Sequence, residues 1–278
     1  MGFNPDGGGG IAGASDVAFN SLQNKQVLTY DNTSSKWQNS AIPSSGAIPI
    51  VTFEDLESQP DGQYFVVDQP QVTVTSLGQF QSSSSSTSGI ITLNSALSVG
   101  DTVVVSVHCE GTGVLLSVSD STGQTWSSGT TSQTSTSPHS QARMYVAAIQ
   151  TPMQSGDTIT VARSSNGGLG AHAAQVQGVQ VAIVNDAVAE ASANPIAYPV
   201  VTAAEFEAVF FAYSITGSAI IGATTGATVL SAGAAVGSAT RQNGLAWKLA
   251  TTTGSLSPTT ATDITQQWSA ASLGLASG

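Results

Sequence analysis

Apolar and polar residues alternate with a period of two along several stretches of the chain. Every second residue from Val103 to Cys109 is apolar and the residues between them are mostly polar, with Val104 as the exception. The same alternation recurs in 158–161 and 206–213. No stretch has the apolar spacing of an amphipathic helix. Since strands with one buried face alternate in this way, the pattern predicts an all-β fold built as an antiparallel β-sandwich.

The strand signals also follow one another in the same order twice. The first copy covers 103–107, 121–126, 142–148, 157–161 and 173–179, and the second covers 208–212, 225–230, 244–250, 258–262 and 268–274. Each copy has an apolar face that needs a partner. We therefore expect two interleaved five-strand halves that form one jelly-roll-like sandwich, with two separate small domains as the alternative.

A shorter β signal lies near the start of the chain, in residues 16–39. A β-prone run ends at Asp31, turn-forming residues follow up to Ser35, and a second short run returns through Lys36 and Gln38. Two strands alone are marginal in water, so this hairpin needs partners to bury its large side chains. We expect it to mediate attachment or oligomerisation through four residues: Val27, Leu28, Tyr30 and Trp37.

Two low-complexity segments suggest how the chain is divided. Residues 1–15 are rich in glycine, and 82–86 are an uninterrupted run of serine of the kind found in loops and linkers. We place the division between a leader and hairpin region, 1–68, and a sandwich domain, 69–278.

The composition restricts the partners of the protein. Only 8% of the 278 residues are charged and the net charge is −11, whereas an average domain has about 25% charged residues. No lysine occurs between Lys36 and Lys248, so no basic patch is available for nucleic acid or anionic membranes. The most apolar candidate for membrane insertion, 219–237, is interrupted by glycine and threonine. Cys109 is the single cysteine, which excludes an intramolecular disulfide, and no cofactor is expected.

Five carboxylates are candidates for chemistry. Asp101 and Asp157 follow glycine in matching Gly-Asp-Thr segments, and Asp120 lies in Ser-Asp-Ser-Thr-Gly. We expect all three to cap turns through backbone N–H groups rather than to act as a pair. Glu205 and Glu207 would lie on one strand face about 7 Å apart, a spacing near that of glycosidase carboxylates. The expected role of this pair is solvated edge protection, and no catalytic residue is assigned.

Histidine and aromatic residues complete the candidate chemistry. His108, His139 and His172 lack the spacing of a metal site, so no metal is expected. Most aromatic residues lie in alternating strands and are expected in the core. Trp126 precedes a loop rich in serine, threonine and glycine, so it is either a core residue or a possible ligand contact, for example by stacking on a sugar.

Two parts of the chain resemble known proteins. The segments 27–31 and 36–39, Val-Leu-Thr-Tyr-Asp and Lys-Trp-Gln-Asn, resemble short modules of tail fibres, spikes and minor tail proteins of tailed bacteriophages. The strand cores between residues 90 and 276 resemble β-sandwich modules of phage and bacterial surface proteins. The resemblance implies a structural or adhesive role and brings no catalytic residues.

The sequence therefore predicts a structural virion protein that docks by its N-terminal region and displays a sandwich to the host surface. The expected partners are other virion proteins, further copies in a homotrimer, and a host cell-surface glycan. The expected location is the tail or head surface, extracellular after lysis. A carbohydrate-binding module and a glycan depolymerase are the alternatives, and an enzyme is not expected.

Overall fold

The chain divides into two compact units, residues 1–68 and 69–278. In the first unit, the computed structural model of the protein describes the backbone of three strands. In the second it describes 72–82, 85–111, 113–135, 139–204, 207–216, 221–232 and 241–277. All the regular elements in these residues are strands. The prediction of an all-β protein is confirmed.

The first unit contains a small sheet of three strands: β1 (Val17–Ala18), β2 (Gln26–Asp31) and β3 (Lys36–Ala41). β2 and β3 are antiparallel, with Tyr30 opposite Trp37 in the register, and β1 is parallel to β3. The predicted hairpin is thus present as β2 and β3. The side chains of Val27, Leu28, Tyr30 and Trp37 lie outside the described part of the structure, so their part in attachment stays a prediction.

The second unit contains two groups of strands that follow one another along the chain. The first group is β4 (Thr73–Gln81), β5 (Ser86–Thr92), β6 (Thr102–Glu110), β7 (Leu116–Asp120), β8 (Ser127–Ser128), β9 (Ser132–Gln133), β10 (Ser140–Ala148), β11 (Thr158–Gly167) and β12 (Leu169–Gln177). The second group is β13 (Val179–Ala193), β14 (Ile196–Ala197), β15 (Val201–Ala203), β16 (Ala208–Thr216), β17 (Ile221–Thr225), β18 (Thr228–Ala232), β19 (Arg241–Leu249), β20 (Gly254–Leu256), β21 (Thr259–Thr262) and β22 (Gln266–Ser277).

Each group forms two sheets with the same strand order. In the first half the larger sheet runs β4-β12-β6-β10-β8, with β9 also paired to β10, and the smaller runs β5-β11-β7. In the second half they run β13-β22-β16-β19-β18 and β14-β21-β17, with β15 and β20 as an extra pair. We call the larger sheets the inner sheets and the smaller ones the outer sheets.

Counted in chain order without β9, β15 and β20, both inner sheets read 1-8-3-6-5 and both outer sheets read 2-7-4. The two sequence copies therefore occupy matching positions. Every described ladder joins strands of one half only, so the expectation that the halves interleave is wrong. The prediction failed because an apolar strand face indicates that another sheet packs against it, but not whether that sheet comes from the same half of the chain.

Three apolar cores hold these four sheets together. The first core fills the space between the sheets of the first half, and the second core does the same in the second half. A third, which we call the shared core, lies between the two inner sheets. Val104, the exception in the alternation of β6, contributes to this shared core. Each inner sheet is therefore covered on both faces, whereas the alternation had suggested one polar face.

Candidate functional site

The three aspartates expected at turns do cap turns. Asp101 Oδ2 accepts a hydrogen bond of 2.8 Å from the Ser98 backbone N–H, and Asp157 Oδ2 accepts one of 2.7 Å from that of Gln154. Each turn has a glycine with positive φ before the aspartate, 95° at Gly100 and 97° at Gly156. Glycine reaches this conformation without a steric penalty. These carboxylates are occupied by structural hydrogen bonds.

Glu207 has the same role in the second half, which the sequence did not indicate. It is 2% exposed, and its Oε2 accepts a hydrogen bond of 2.9 Å from the Ala204 N–H three residues earlier. Its Oε1 accepts one of 2.5 Å from Asn185 Nδ2. The expectation of a solvated edge residue is wrong for Glu207, because this carboxylate closes a buried turn. Glu205 lies outside the described residues.

Asp120 organises the loop that carries Trp126. Its carboxylate accepts hydrogen bonds from the backbone N–H and hydroxyl of Thr122, the backbone N–H of Gln124, and Trp126 Nε1 at 2.9 Å. Partial burial alone would raise the pKa of Asp120. The hydrogen bonds from Thr122, Trp126 and Gln124 outweigh burial and hold that pKa below its usual value.

Trp126 is half-buried, and one side of it packs against the first core. Its only polar atom is used by Asp120. The ring is therefore a fixed part of the wall of the first half with a partly exposed surface. This position agrees with core packing on one side and leaves room for a stacking contact on the other.

Two of the three histidines form a buried polar cluster that the sequence did not predict. His108 and His172 are each 1% exposed and lie between the inner sheets, beyond Val104 on β6 and Val176 on β12 of the shared core. Their rings meet edge to face with centroids 5.6 Å apart. With their hydrogen-bonding neighbours they form what we call the histidine cluster: Ser106, His108, His172, Ser231 and Asn243.

Hydrogen bonds in this cluster cross from one half of the unit to the other. His172 Nε2 lies 2.5 Å from Asn243 Oδ1, and His172 Nδ1 lies 2.6 Å from Ser231 Oγ. Gln81 Nε2 also donates to Asn243 Oδ1, at 3.4 Å. Since that oxygen can only accept, the network assigns the proton of a neutral His172 to Nε2, and Nδ1 accepts from Ser231.

Burial sets the protonation of both histidines. It lowers the pKa of His172 to about 4, although the hydrogen bond with Asn243 acts in the opposite direction. Burial, together with the nearby His172, lowers the pKa of His108 well below its usual range. His108 Nε2 lies 3.1 Å from Ser106 Oγ, whereas its Nδ1 has no hydrogen-bond partner among the described residues. Both rings are therefore neutral at pH 7.

A weak signal for this cluster was present in the sequence. Ser106 and His108 share a strand face with Val104, which is an apolar residue on an otherwise polar face. An apolar residue beside a serine and a histidine on one strand face indicated that this face packs against protein rather than facing solvent. The positions of Asn243 and Ser231 depend on how the second half packs and had no local signal.

Within the described residues, no three histidine, cysteine, aspartate or glutamate side chains lie close enough together to hold a metal ion. That part of the chain also contains no helix of the length and apolarity needed to cross a membrane. Comparisons of the chain with protein-family models, with curated proteins and with solved structures gave no match.

Proposed function

We propose that the protein is a structural, non-enzymatic virion protein of a tailed bacteriophage, of the minor tail, fibre or spike type. In this role the N-terminal unit docks to other virion proteins and the double sandwich is displayed to the host surface. The observation that carries the proposal is the tandem pair of sandwiches joined through a shared apolar core. Such a body presents a fixed outer surface and buries its inner sheets on both faces.

The strand order supports this proposal by analogy of fold. The nested pairing of first with eighth and second with seventh strand is that of a jelly roll, and we propose that each half is one. Jelly rolls are frequent in viral capsid proteins and in lectins. This analogy of fold adds to the resemblance of residues 27–39 to phage tail modules.

The hydrogen bonds of four described acidic residues also support a role without catalysis. Asp101, Asp120, Asp157 and Glu207 each accept hydrogen bonds that close a turn or a loop. A general acid or base needs a carboxylate within reach of a substrate, and these carboxylates are occupied by the chain itself.

The proposal is tested by asking where the protein is found. Particles from a lysate of the producing culture are banded in a density gradient, washed in high salt and probed with an antibody against the full chain. We expect the protein in the particle band, and labelling by electron microscopy on the tail or the head. Recovery only in the particle-free fraction would overturn the proposal.

The number of copies is tested separately by light scattering after size exclusion of the full chain. We expect a trimer that dissociates when Trp37→Ala removes a large side chain from β3. A monomer for the unchanged chain would contradict trimerisation in solution. In that case any assembly of several copies would require the virion particle.

A carbohydrate-binding module is the second candidate, and the position of Trp126 favours it. The partly exposed ring is fixed by Asp120 and lies at a surface rich in hydroxyl groups. If the ring stacks on a sugar, Trp126→Ala should abolish binding to host polysaccharide, whereas Trp126→Phe should retain much of it. Equal binding by the two variants and the unchanged protein would exclude this site.

A further inference from the structure

The contact between the two inner sheets, which we call the seam, has two unlike ends. One end is the shared core, where apolar side chains such as Val104, Phe210 and Leu273 meet without polar partners. The other end is the histidine cluster, together with Ser140, whose Oγ lies 3.2 Å from Ser269 Oγ across the seam. The apolar end is insensitive to pH, whereas the other end contains two titratable rings.

The chain crosses between the halves at one residue only. Gly178 connects β12 to β13 and has a φ of 78°, a conformation that suits glycine. Its neighbours on the two strands, Val176 and Val179, belong to or pack against the shared core. His172 lies six residues before Gly178, which is about 20 Å along an extended strand. The covalent joint is thus at the apolar end and the histidine cluster is far from it.

We propose that the seam is an acid-opened joint, in which protonation of the histidine cluster separates the two halves at that end while they remain connected through Gly178 and the shared core.

The direction of the effect follows from the burial of the rings. A ring in the closed seam resists protonation, whereas a ring exposed by opening takes up a proton near its ordinary pKa of 6.5. The contribution of the neutral rings to the closed state is therefore fully present above that value and is lost as the pH falls toward about 4, where His172 titrates in the closed state. Between pH 6.5 and about pH 4, His172 alone shifts the open-to-closed ratio by about 80-fold.

Charged residues occur near the cluster on β6 and β19. Glu110 lies two residues beyond His108 on β6, and its Oε2 accepts from the Gly168 N–H at 3.4 Å. Arg241 lies two residues before Asn243 on β19, and its side chain is outside the described residues. Strands β4, β10, β12, β16, β18 and β22 present Gln81, Ser140, His172, Ser214, Ser231 and Ser269 to the seam, none of which is acidic or basic except His172.

Two further carboxylates bridge the halves along the seam, with Asp186 level with Leu273 of the shared core and Glu190 level with Ser269. Asp186 Oδ2 accepts from the Thr130 N–H at 2.6 Å, and Glu190 accepts from the Ser135 N–H. Both lie on β13 and hold the 129–135 loop of the first half. The test must therefore keep both carboxylates in place when it changes a histidine.

The first test is hydrogen exchange of the full chain, followed by mass spectrometry, between about pH 7 and about pH 4.5, corrected for the pH dependence of chemical exchange. We expect the seam strands β12 and β19 to exchange at least tenfold faster in acid, with little change in β11 of the outer sheet. His172→Gln should remove most of this increase in exchange. The matched control is His139→Gln, which leaves Asp186, Glu190 and both clustered histidines in place. This control should retain the increase. The same acid response in His172→Gln as in the unchanged protein would overturn the proposal.

The second test does not depend on how a histidine variant folds. The hydroxyl oxygens of Ser140 and Ser269 are 3.2 Å apart, so the pair Ser140→Cys with Ser269→Cys can form a disulfide across the seam. Exchange is measured in the oxidised and the reduced forms of one preparation. We expect the oxidised form to lose the acid response and the reduced form to keep it. Equal responses in both forms would also overturn the proposal.

Discussion

The two halves of the second unit have the same strand order but distribute bulky side chains in opposite ways along the seam. On the third strand of the first half, Val104 lies between Ala174 and Val146. At the matching place in the second half, Phe210 lies between Leu273 and Trp247. At this end of the seam the second half supplies the larger residues.

At the histidine end of the seam, the first half supplies the larger residues. His108 and His172 of the first half match Ser214 and Ala271 of the second half in the ladders. Two similar sheets cannot fill a common interface with identical residues at every level, because close packing needs a large side chain opposite a small one. The comparison teaches that the order of the strands is retained between the halves while the volumes on their facing surfaces are complementary.

The largest expected effect comes from removing bulk at the apolar end. Phe210→Ala should lower the free energy of unfolding by about 3–5 kcal/mol, because the cavity has walls from both halves. Val104→Ala at the matching position should cost about 2 kcal/mol, since fewer methyl groups are lost. Urea denaturation of both variants measures the difference. Equal losses would show that the two halves contribute similar volume to the shared core, contrary to this comparison.

A smaller effect is expected where the two capped turns differ. Gly274 lies against the Glu207 carboxylate, which an added Cβ would overlap, whereas Gln175 at the matching place donates to Asp101 at 2.8 Å. Gly274→Ala should therefore destabilise by about 1–3 kcal/mol through overpacking. Gln175→Ala should cost about 1 kcal/mol for one lost hydrogen bond. Thermal unfolding of the two variants tests the order, and a larger loss in Gln175→Ala would contradict it.

The smallest expected effect concerns the loop of Asp120, which differs from the second half in carrying Trp126. Asp120→Asn should destabilise the protein at neutral pH, because four donors lose a charged acceptor. Since the folded state lowers the pKa of Asp120, its contribution is present above the ordinary value of 3.8 and is lost as the pH falls through the folded value. The difference between variant and unchanged protein should therefore shrink in acid. If the stability difference does not change with pH, the charge of Asp120 does not contribute to it, and the prediction is wrong.

Much of the local structure could be predicted from the residues. The alternation of Val103, Val105 and Val107 predicted strand β6 and the face of it that packs in the first core. The Gly-Asp-Thr segments predicted the capped turns at Asp101 and Asp157. These features depend on neighbours in the chain, through side-chain period and turn geometry. The histidine cluster could not be predicted in the same way, because Asn243 and His172 are 71 residues apart.

The sequence by itself determined that the protein is made of strands, where its capped turns lie, and that two segments of the chain carry the same succession of strands. Only the tertiary structure decided that these segments form two sandwiches in tandem, that Glu207 is buried in a turn, and that His108 and His172 lie in a seam. The physical reason is that period and turn chemistry act between near neighbours, whereas the partner of an apolar or polar face is chosen by packing between distant strands.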